Sequence, residues 1–488
     1  MARYERLSVI DRTFLDIETP EHPQHVGVTM IFDAAPMRRP DGGIDVERIR
    51  RYLESRLHLV PRYRQKLAWT PLEKAPIWVD DPSFKLEYHV RHTALPRPGD
   101  EDALKRLAAR IMSQRLDRGR PLWEVWVVEG LEGDRFALVT KTHHCMVDGI
   151  AGVDLMTVVL SPDPEEEIGE PVEWVPEPPP STLELARDEL LRRAGFPFQA
   201  LSLAREFVED PVRLAREAWR RLEALGETLG AALSPASETP LNHPIGPHRR
   251  FDWTTFDLEQ VKAVKNRLGG TVNDVVLATV AGALGTFLER RGITRFQQRR
   301  MNIRAMVPVS VRPPTERGTT GNQIALWAAT LPVAEVDPRR RLAAIREMTA
   351  HLKKSKQTLG AAVLAQVSEW TVPTLLSTAT RLAYRSRAAN LVVTNVPGPQ
   401  IPLYLLGARM LATYPMLNLL MNQGLGVALF SYDHKLFWGF MADWDLVPDL
   451  RDFVRATERS FEELRRAAEV PSATVRRHRH APAPPPTS

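Results

Sequence analysis

The sequence predicts a mixed α/β fold built from two related halves, and three observations lead to this prediction. The chain has 488 residues, which is long for a single hydrophobic core. Short stretches with the alternation of strands are interleaved with longer stretches at helical spacing. A strand followed by a helix opens the chain at 25–59, and the same order returns at 251–268. We therefore expect one half at 1–160 and the other at 250–470.

Elements of the first half follow from this periodicity. Alternating apolar residues predict a strand over 25–32, and apolar residues at helical spacing predict a helix over 46–59, ended by Pro61. The remaining elements predicted here are a short strand at 88–92, a helix at 103–116, strands at 121–129 and 135–140 joined by a turn at 130–134, and a buried helix at 150–160.

The segment between the halves, 161–249, has a different composition. Residues 163–180 are rich in acidic residues and prolines and contain no Lys or Arg, which indicates a linker. Farther on, helical structure is predicted over 183–229, interrupted at Gly195, Pro197 and Pro211, and the helical stretch 212–222 within it has one apolar stripe. Four arginines lie off that stripe: Arg213, Arg216, Arg220 and Arg221. A helix packed on its own protein with a solvated basic face is favoured, and an interfacial helix on an anionic membrane is the alternative.

The second half begins with the strand and helix predicted at 251–258 and 259–268. An apolar helix at 275–288 follows the turn Gly269-Gly270. The later elements predicted are strands at 301–311, 325–333 and 390–396, a hairpin at 427–432 and 437–441, and an amphipathic helix at 450–464. The basic, proline-rich residues 471–488 indicate a disordered tail.

Composition narrows the class of protein. Hydrophobic residues make up 43% and charged residues 26%, as in ordinary globular proteins. No stretch reaches the ~18 apolar residues of a membrane span, and no signal region follows the N-terminus, so export is not expected. A single cysteine excludes an intrachain disulfide framework and fits the cytoplasm. The net charge of +5 suits an acidic ligand such as coenzyme A or an anionic membrane surface, and no nucleic-acid-binding signature is present.

Two adjacent histidines, His143 and His144, lie between the strand predicted over 135–140 and the helix predicted from Ile150. Loops on a rigid scaffold often hold catalytic groups, and histidine, with an ordinary pKa of about 6.5, suits proton transfer near neutral pH. If the chain is still extended here, His143 and Cys145 share one face and His144 points to the other. Only one histidine would then face a reaction channel.

Other interpretations of this stretch stay open at this point. Paired histidines also occur as core or loop residues, and Asp148 suits the N-cap of the following helix. A metal site is disfavoured, because the His-Glu-x-x-His pattern is absent and adjacent histidines on an extended chain diverge. We therefore expect no metal.

The sequence lacks the motifs of several enzyme classes. There is no Gly-x-x-x-x-Gly-Lys-Ser/Thr loop, no Gly-x-Gly-x-x-Gly fingerprint and no Gly-x-Ser-x-Gly elbow. ATP activation, hydride transfer and serine hydrolysis are therefore not indicated. The mechanism that remains is a histidine base acting on a preactivated donor such as a thioester. A positioned general base typically raises the reaction rate ~10²–10⁴-fold.

The pattern His143-His144-x-x-x-Asp148-Gly149 resembles the active-site motif of chloramphenicol-acetyltransferase-like acyltransferases. Peptide-synthetase condensation domains share this motif. The whole chain, from the opening at 7–14 onward, resembles the bacterial wax ester synthase/diacylglycerol acyltransferase family. Five further stretches carry that resemblance: 121–123 (Pro-Leu-Trp), 273–278 (Asn-Asp-Val-Val-Leu-Ala), 307–312 (Val-Pro-Val-Ser-Val-Arg), 321–324 (Gly-Asn-Gln-Ile) and 394–399 (Thr-Asn-Val-Pro-Gly-Pro).

The resemblance implies two chloramphenicol-acetyltransferase-like sandwich domains with a channel between them. It implies an acyl-CoA-dependent O-acyltransferase that acts on diacylglycerol or a long-chain alcohol, with His144 as general base and no acyl-enzyme. No cofactor beyond the acyl-CoA substrate is expected. His143 and Asp148 would support the base, with Arg312 a candidate partner of Asp148. Further binding or support residues are expected at Gly149, Pro121, Leu122, Trp123, Asn273, Asp274 and Asn395.

Some of these residues also suit structural roles. Trp123 and Trp126 could line a pocket, although core packing is the more common role and is favoured for at least one of them. Asn273 or Asp274 could instead cap the helix that follows.

The expected location is the cytoplasm, with peripheral association to a membrane or lipid inclusions. The alternative functions are a peptide-synthetase-like condensation enzyme, for which no carrier domain is evident, and a non-catalytic lipid-binding protein.

Overall fold

The computed structural model of the chain describes residues 4–146, 156, 158–192, 235–310, 324–354 and 388–471. These residues form two six-stranded sheets and one three-stranded sheet, packed with helices, which confirms the predicted mixed α/β class. The basic helix predicted over 212–222, most of the helix predicted over 150–160 and the tail from 472 lie outside the described residues.

The first large sheet holds the strand that ends at the paired histidines. Its strands are β2 (His25–Asp33), β5 (Val90–Ala94), β6 (Trp123–Leu131), β7 (Arg135–His143), β12 (Tyr404–Leu405) and β13 (Ala408–Met416). They lie in the order β12-β13-β2-β7-β6-β5. β7 pairs antiparallel with both β2 and β6, with His143 opposite His25. Helices α2 (Val46–Arg56) and α3 (Glu101–Ser113) contribute to the same hydrophobic core.

The second large sheet belongs to the second half of the chain. Its strands are β8 (Arg249–Asp257), β9 (Arg304–Ser310), β10 (Ile324–Thr330), β11 (Leu391–Pro397), β14 (Leu425–Tyr432) and β15 (Lys435–Asp443). They lie in the order β10-β9-β11-β14-β15-β8. The described residues of this half form the helices α4 (Leu258–Leu268), α5 (Val272–Arg290), α6 (Arg295–Gln298), α7 (Pro338–Lys354) and α8 (Leu450–Ala467).

α5 is the central helix of the second core. A Thr271–Asp274 capping box begins it, and residues from Asp274 to Leu288 are buried almost without interruption. By length and composition alone it could cross a membrane, yet 78% of its apolar window is buried inside the protein. This confirms the prediction of a buried core helix over 275–288.

The two halves share a sheet. β12 and β13 come from the second half of the sequence but complete the first sheet, where β13 pairs with β2. Tyr414 on β13 stacks on Trp253 of β8, with ring centroids 4.5 Å apart. A Cβ built at Gly439 of β15 would lie 1.9 Å from the carbonyl oxygen of Pro415, so a glycine is required where the sheets meet. The histidine-bearing sheet is therefore anchored to the second half.

A small three-stranded sheet supports the edge of the first half. Its strands are β1 (Glu5–Arg6), β3 (Gln65–Trp69) and β4 (Pro76–Asp80), with β4 in the middle. The acidic linker returns to this region. Trp174 of this linker packs edge-on to Phe84 with ring centroids 6.2 Å apart. Beyond the linker, the Glu189 side chain accepts hydrogen bonds from the backbone N–H of Leu72 and Glu73 at 3.0 and 3.1 Å.

Near the N-terminus, α1 (Val9–Ile17) begins at the N-cap Ser8, whose hydroxyl accepts from the backbone N–H of Asp11. This helix packs against the turn that follows β7, so it lies beside the paired histidines. Neither this helix nor β13 nor α7 was predicted from the sequence.

Candidate active site

The site is built at the end of β7, where the strand gives way to a turn. Residues His144–Met146 form a short 3₁₀ helix directly after His143. The predicted alternation of side chains past His143 is therefore wrong, because it required an extended chain. The backbone N–H of His143 donates to the Leu122 carbonyl at 2.9 Å, and that of His144 donates to the Gln24 carbonyl at 2.7 Å. Neighbouring segments on both sides thus fix the two histidines.

His143 is buried, and both of its ring nitrogens have neighbours. Its side chain is 1% exposed. Nδ1 accepts a hydrogen bond from the backbone N–H of Cys145 at 3.1 Å. Nε2 lies 3.5 Å from Oε1 of Glu18, which is longer than a normal hydrogen bond, and it has no hydrogen-bond partner among the described residues. Because Nδ1 is an acceptor, the ring proton of the neutral form belongs on Nε2, facing the carboxylate. Such a histidine is well suited to hold the turn and poorly suited to receive a proton from substrate.

His144 has a different environment. Its ring stacks on Phe14 with centroids 3.8 Å apart and planes 17° from parallel. Nδ1 is buried and makes no hydrogen bond to the residues that the structure describes. Burial lowers the pKa of His144 to about 4, against a smaller opposing effect of its own backbone carbonyl. The imidazole is therefore neutral at neutral pH, which is the form that can accept a proton.

Glu18 is the buried charge behind the site. It lies at the C-cap of α1 with a side chain 1% exposed. Oε1 is 3.3 Å from His25 Nε2, and Oε2 accepts from Nη2 and Nε of Arg118 at 2.8 and 3.2 Å. Burial alone would raise the pKa of Glu18, but its contacts with His143 and His25 outweigh burial and hold the pKa far below its usual range. The carboxylate is therefore ionised.

Among the described residues, Glu18, His25 and His143 form a set that could hold a metal ion. Each offers one ligand atom, and these atoms lie within 4.8 Å of one another. The contacts with Arg118 and the backbone N–H of Cys145 account for the same arrangement without an ion. The expectation of no metal stays a prediction, which metal analysis of the purified protein would test.

Cys145 follows the two histidines but does not have the environment of a nucleophile. The side chain is 3% exposed. Burial raises the pKa of its thiol well above the ordinary value, with the Asp11 carboxylate adding to the effect. The thiolate, which is the reactive form, is therefore disfavoured.

Three predicted site residues, Pro121, Leu122 and Trp123, lie where β6 begins, and Leu122 contacts a histidine of the site. The Leu122 carbonyl receives the His143 N–H. Trp123 is 2% exposed, donates from Nε1 to the Tyr63 carbonyl at 2.8 Å, and stacks on His89. Trp123 is thus a core residue, as favoured for at least one of the two tryptophans.

Asn273 and Asn395, which are distant in sequence, are brought together. Nδ2 of Asn395 donates to Oδ1 of Asn273 at 2.6 Å. Within the described part of the chain, no hydrogen bond or ion pair joins this pair to the two histidines. Asp274 accepts from the backbone N–H of Thr271 at 2.7 Å and from the Thr349 hydroxyl at 2.7 Å, so its role is to begin α5. The predicted site residues Asp148, Gly149 and Arg312 lie outside the described residues.

Sequence reasoning missed Phe14 as a contact of His144, and it missed Glu18, His25 and Arg118 as residues of this site. Phe14 and Glu18 have the i, i+4 spacing of one helical face, but no helix was predicted over 9–17. A carboxylate that meets a histidine 125 positions away leaves no local signal in the sequence.

Comparison with known proteins assigns the family. Residues 7–276 match the model of the wax ester synthase/diacylglycerol acyltransferase catalytic domain, and residues 320–465 match the model of the WS/DGAT C-terminal domain. A Mycobacterium tuberculosis protein named probable diacylglycerol O-acyltransferase is 34% identical over 465 residues, covering 94% of this chain and 95% of its own.

Solved structures agree with this assignment. The wax ester synthase/diacylglycerol acyltransferase of Marinobacter aquaeolei VT8 superimposes with a TM-score of 0.66 at 28% identity, covering 95% of this chain and all of that one. The starter condensation domain of rhizomide synthetase, solved with C8-CoA and Leu-SNAC, has a TM-score of 0.58 at 13% identity over 96% of this chain and 95% of its own, which shows a shared fold alone. The chain belongs to the wax ester synthase/diacylglycerol acyltransferase family and is an O-acyltransferase.

Proposed function

We propose that this enzyme transfers a fatty acyl group from acyl-CoA to the hydroxyl of diacylglycerol or a long-chain alcohol, with His144 as the general base. The observation that carries this proposal is the difference between the two histidines. His143 has a backbone donor at one nitrogen and a carboxylate at the other, whereas His144 is neutral and stacked beside the turn. His144 is therefore the group of the pair that can take a proton from an acceptor.

In the proposed reaction, His144 accepts the hydroxyl proton of the acceptor as its oxygen attacks the thioester carbonyl. Nδ1 is buried, so Nε2 is the nitrogen assigned to this step. The tetrahedral intermediate then expels the CoA sulfur as the carbon–sulfur bond breaks. The histidine returns its proton to the thiolate, and the products are ester and free CoA. A base that acts directly on the acceptor requires both substrates to be bound together.

The environment of Cys145 supports direct transfer over an acyl-enzyme. A covalent route through Cys145 would require its thiolate, but burial disfavours that form. Acyl-CoA is proposed as the donor because a thioester is a preactivated acyl group and the net charge of +5 suits the acidic coenzyme. The acceptors are supported by the family description, which names wax ester and diacylglycerol chemistry.

The test is CoA release from one long-chain acyl-CoA, measured with a panel of acceptors that includes diacylglycerol, a C16 alcohol, a short alcohol and an amine. The proposal predicts acceptor-dependent CoA release and an ester product with diacylglycerol, the C16 alcohol or both. Release with the amine alone would instead support the condensation alternative. Absence of turnover with every acceptor would support a non-catalytic role.

We further propose peripheral association with an anionic lipid surface, where the apolar substrates are found. The net positive charge of the chain supports this proposal. Sedimentation with anionic but not neutral vesicles, weakened by salt, is expected because charges are screened over about 8 Å at physiological ionic strength. Equal sedimentation with both kinds of vesicle would contradict it.

A further inference from the structure

Helix α1 presents two side chains to the paired histidines. Phe14 and Glu18 are four residues apart, so they lie on the same side of α1, Glu18 at its C-cap. The Phe14 ring stacks on His144 at 3.8 Å, and Glu18 Oε1 lies 3.5 Å from His143 Nε2. One short helix therefore contacts both histidines, each through a different side chain.

The Glu18 side chain is itself held firmly. Oε1 accepts from the backbone N–H of Gln24 at 3.3 Å, and Oε2 accepts from two nitrogens of Arg118. Arg118 also donates from Nη2 to the Leu15 carbonyl at 2.8 Å, which ties the guanidinium to α1. A buried carboxylate with these partners has little freedom to rotate, so its position beside His143 is set by the fold.

The contact with Glu18 bears on the turn that presents His144. A carboxylate at Nε2 favours the form of neutral His143 with its proton on Nε2. Nδ1 is then an acceptor, which is what the hydrogen bond from the Cys145 N–H requires. This hydrogen bond spans His144, so it fixes the backbone on both sides of the base. The ring of His144 is fixed separately by its stack on Phe14.

We propose that Phe14 and Glu18 are positioning residues for the base, acting together as an α1 clamp. Glu18 selects the ring form of His143 that closes the turn, and Phe14 limits rotation of the His144 imidazole. Neither residue exchanges a proton with substrate. The proposal deepens the function proposed above and rests on His144 being the base.

Steady-state kinetics of four single variants of the full chain test the clamp. Glu18→Gln keeps the size of the side chain but removes its charge, and Phe14→Leu removes the ring. Each is expected to lower kcat about 10- to 100-fold, because small misplacements of a catalytic group have effects of this size. KM for acyl-CoA should change by less than about twofold, since ground-state binding is untouched.

The other two variants are controls. Phe14→Tyr restores an aromatic ring and should recover most of the activity that Phe14→Leu loses. Asp16→Asn removes a carboxylate from the same helix, where it pairs with Arg12 at 3.4 Å, and should keep wild-type kcat. Circular dichroism and thermal melting of every variant separate misplacement of the base from loss of folding.

A double-mutant cycle shows whether Glu18 acts through His143. In a His143→Ala background, adding Glu18→Gln should change kcat by less than about twofold, because the group through which it acts is gone. An equal loss in both backgrounds, wild-type kcat in Glu18→Gln, or no recovery by Phe14→Tyr would each overturn the clamp. These outcomes leave the proposed base untouched, whereas turnover by His144→Ala would overturn the base itself.

Discussion

The acid limb of the pH–rate profile is expected to lie far below the ordinary pKa of histidine. The general base must be unprotonated, and burial lowers the pKa of His144 to about 4. With that pKa about 90% of the enzyme holds a neutral base at pH 5, whereas a pKa of 6.5 would leave about 3%. The expected rate at pH 5 therefore differs about 30-fold between the two cases.

The lowered pKa of His144 determines how kcat/KM changes with pH. A lowered pKa keeps the base competent as the pH falls, so kcat/KM should be nearly flat from about pH 8 to pH 5 and decline only near pH 4. The assay is CoA release at subsaturating substrates across this range, with circular dichroism at each pH to confirm that the enzyme stays folded. A decline centred near pH 6.5 in folded enzyme would refute the assignment of a His144 with a lowered pKa as the base.

Three further predictions follow from the described residues. Cys145→Ala should keep most of the activity, because a buried thiol with a raised pKa packs but does not react, and a loss as severe as that of His144→Ala would favour a covalent route instead. Initial rates across a grid of both substrates should give intersecting double-reciprocal lines, with no acyl adduct detected by mass spectrometry after incubation with acyl-CoA alone; parallel lines with an adduct would overturn direct transfer. Asp274→Ala should lower the free energy of unfolding by ~1–3 kcal/mol, because the Thr271 N–H at the helix cap and the Thr349 hydroxyl both lose their acceptor. Unchanged urea denaturation together with lost activity would instead point to a role in the channel.

Strands and helices with strong local periodicity could be predicted from sequence. β2, β7, β8 and α5 were predicted within a few residues of their observed bounds. Their apolar residues repeat at the period of the element, so burial on one face leaves a local pattern. The late hairpin β14–β15 was predicted for the same reason.

Long-range pairing could not be predicted. β13 lies beside β2, from which it is separated by most of the chain, and its inward residues resemble those of any half-buried strand. The supporting role of Leu122 depends on a backbone carbonyl, which every residue has. The meeting of Glu18, His25 and His143 results from the packing of α1 against the end of β7, and no spacing in the sequence encodes it.

The residue pattern predicted His143 and His144 together as site residues, but it did not assign a separate role to each. Their position at the end of a strand was correct, since β7 ends at His143. The extended geometry used to separate their faces was not, because the 3₁₀ turn begins at His144. Burial and hydrogen-bond partners distinguish the two rings, and both arise only in the folded chain.

The central claim is that His144, and not His143, takes the proton of the acceptor. Its most direct test is the rate of CoA release by His144→Ala and His143→Ala, each verified as folded by circular dichroism and measured beside the wild-type enzyme. We expect a loss of at least about 100-fold for His144→Ala, the range typical of a general base, and a smaller loss for His143→Ala, which retains the base but weakens the turn. Equal and mild losses in both variants would contradict the claim.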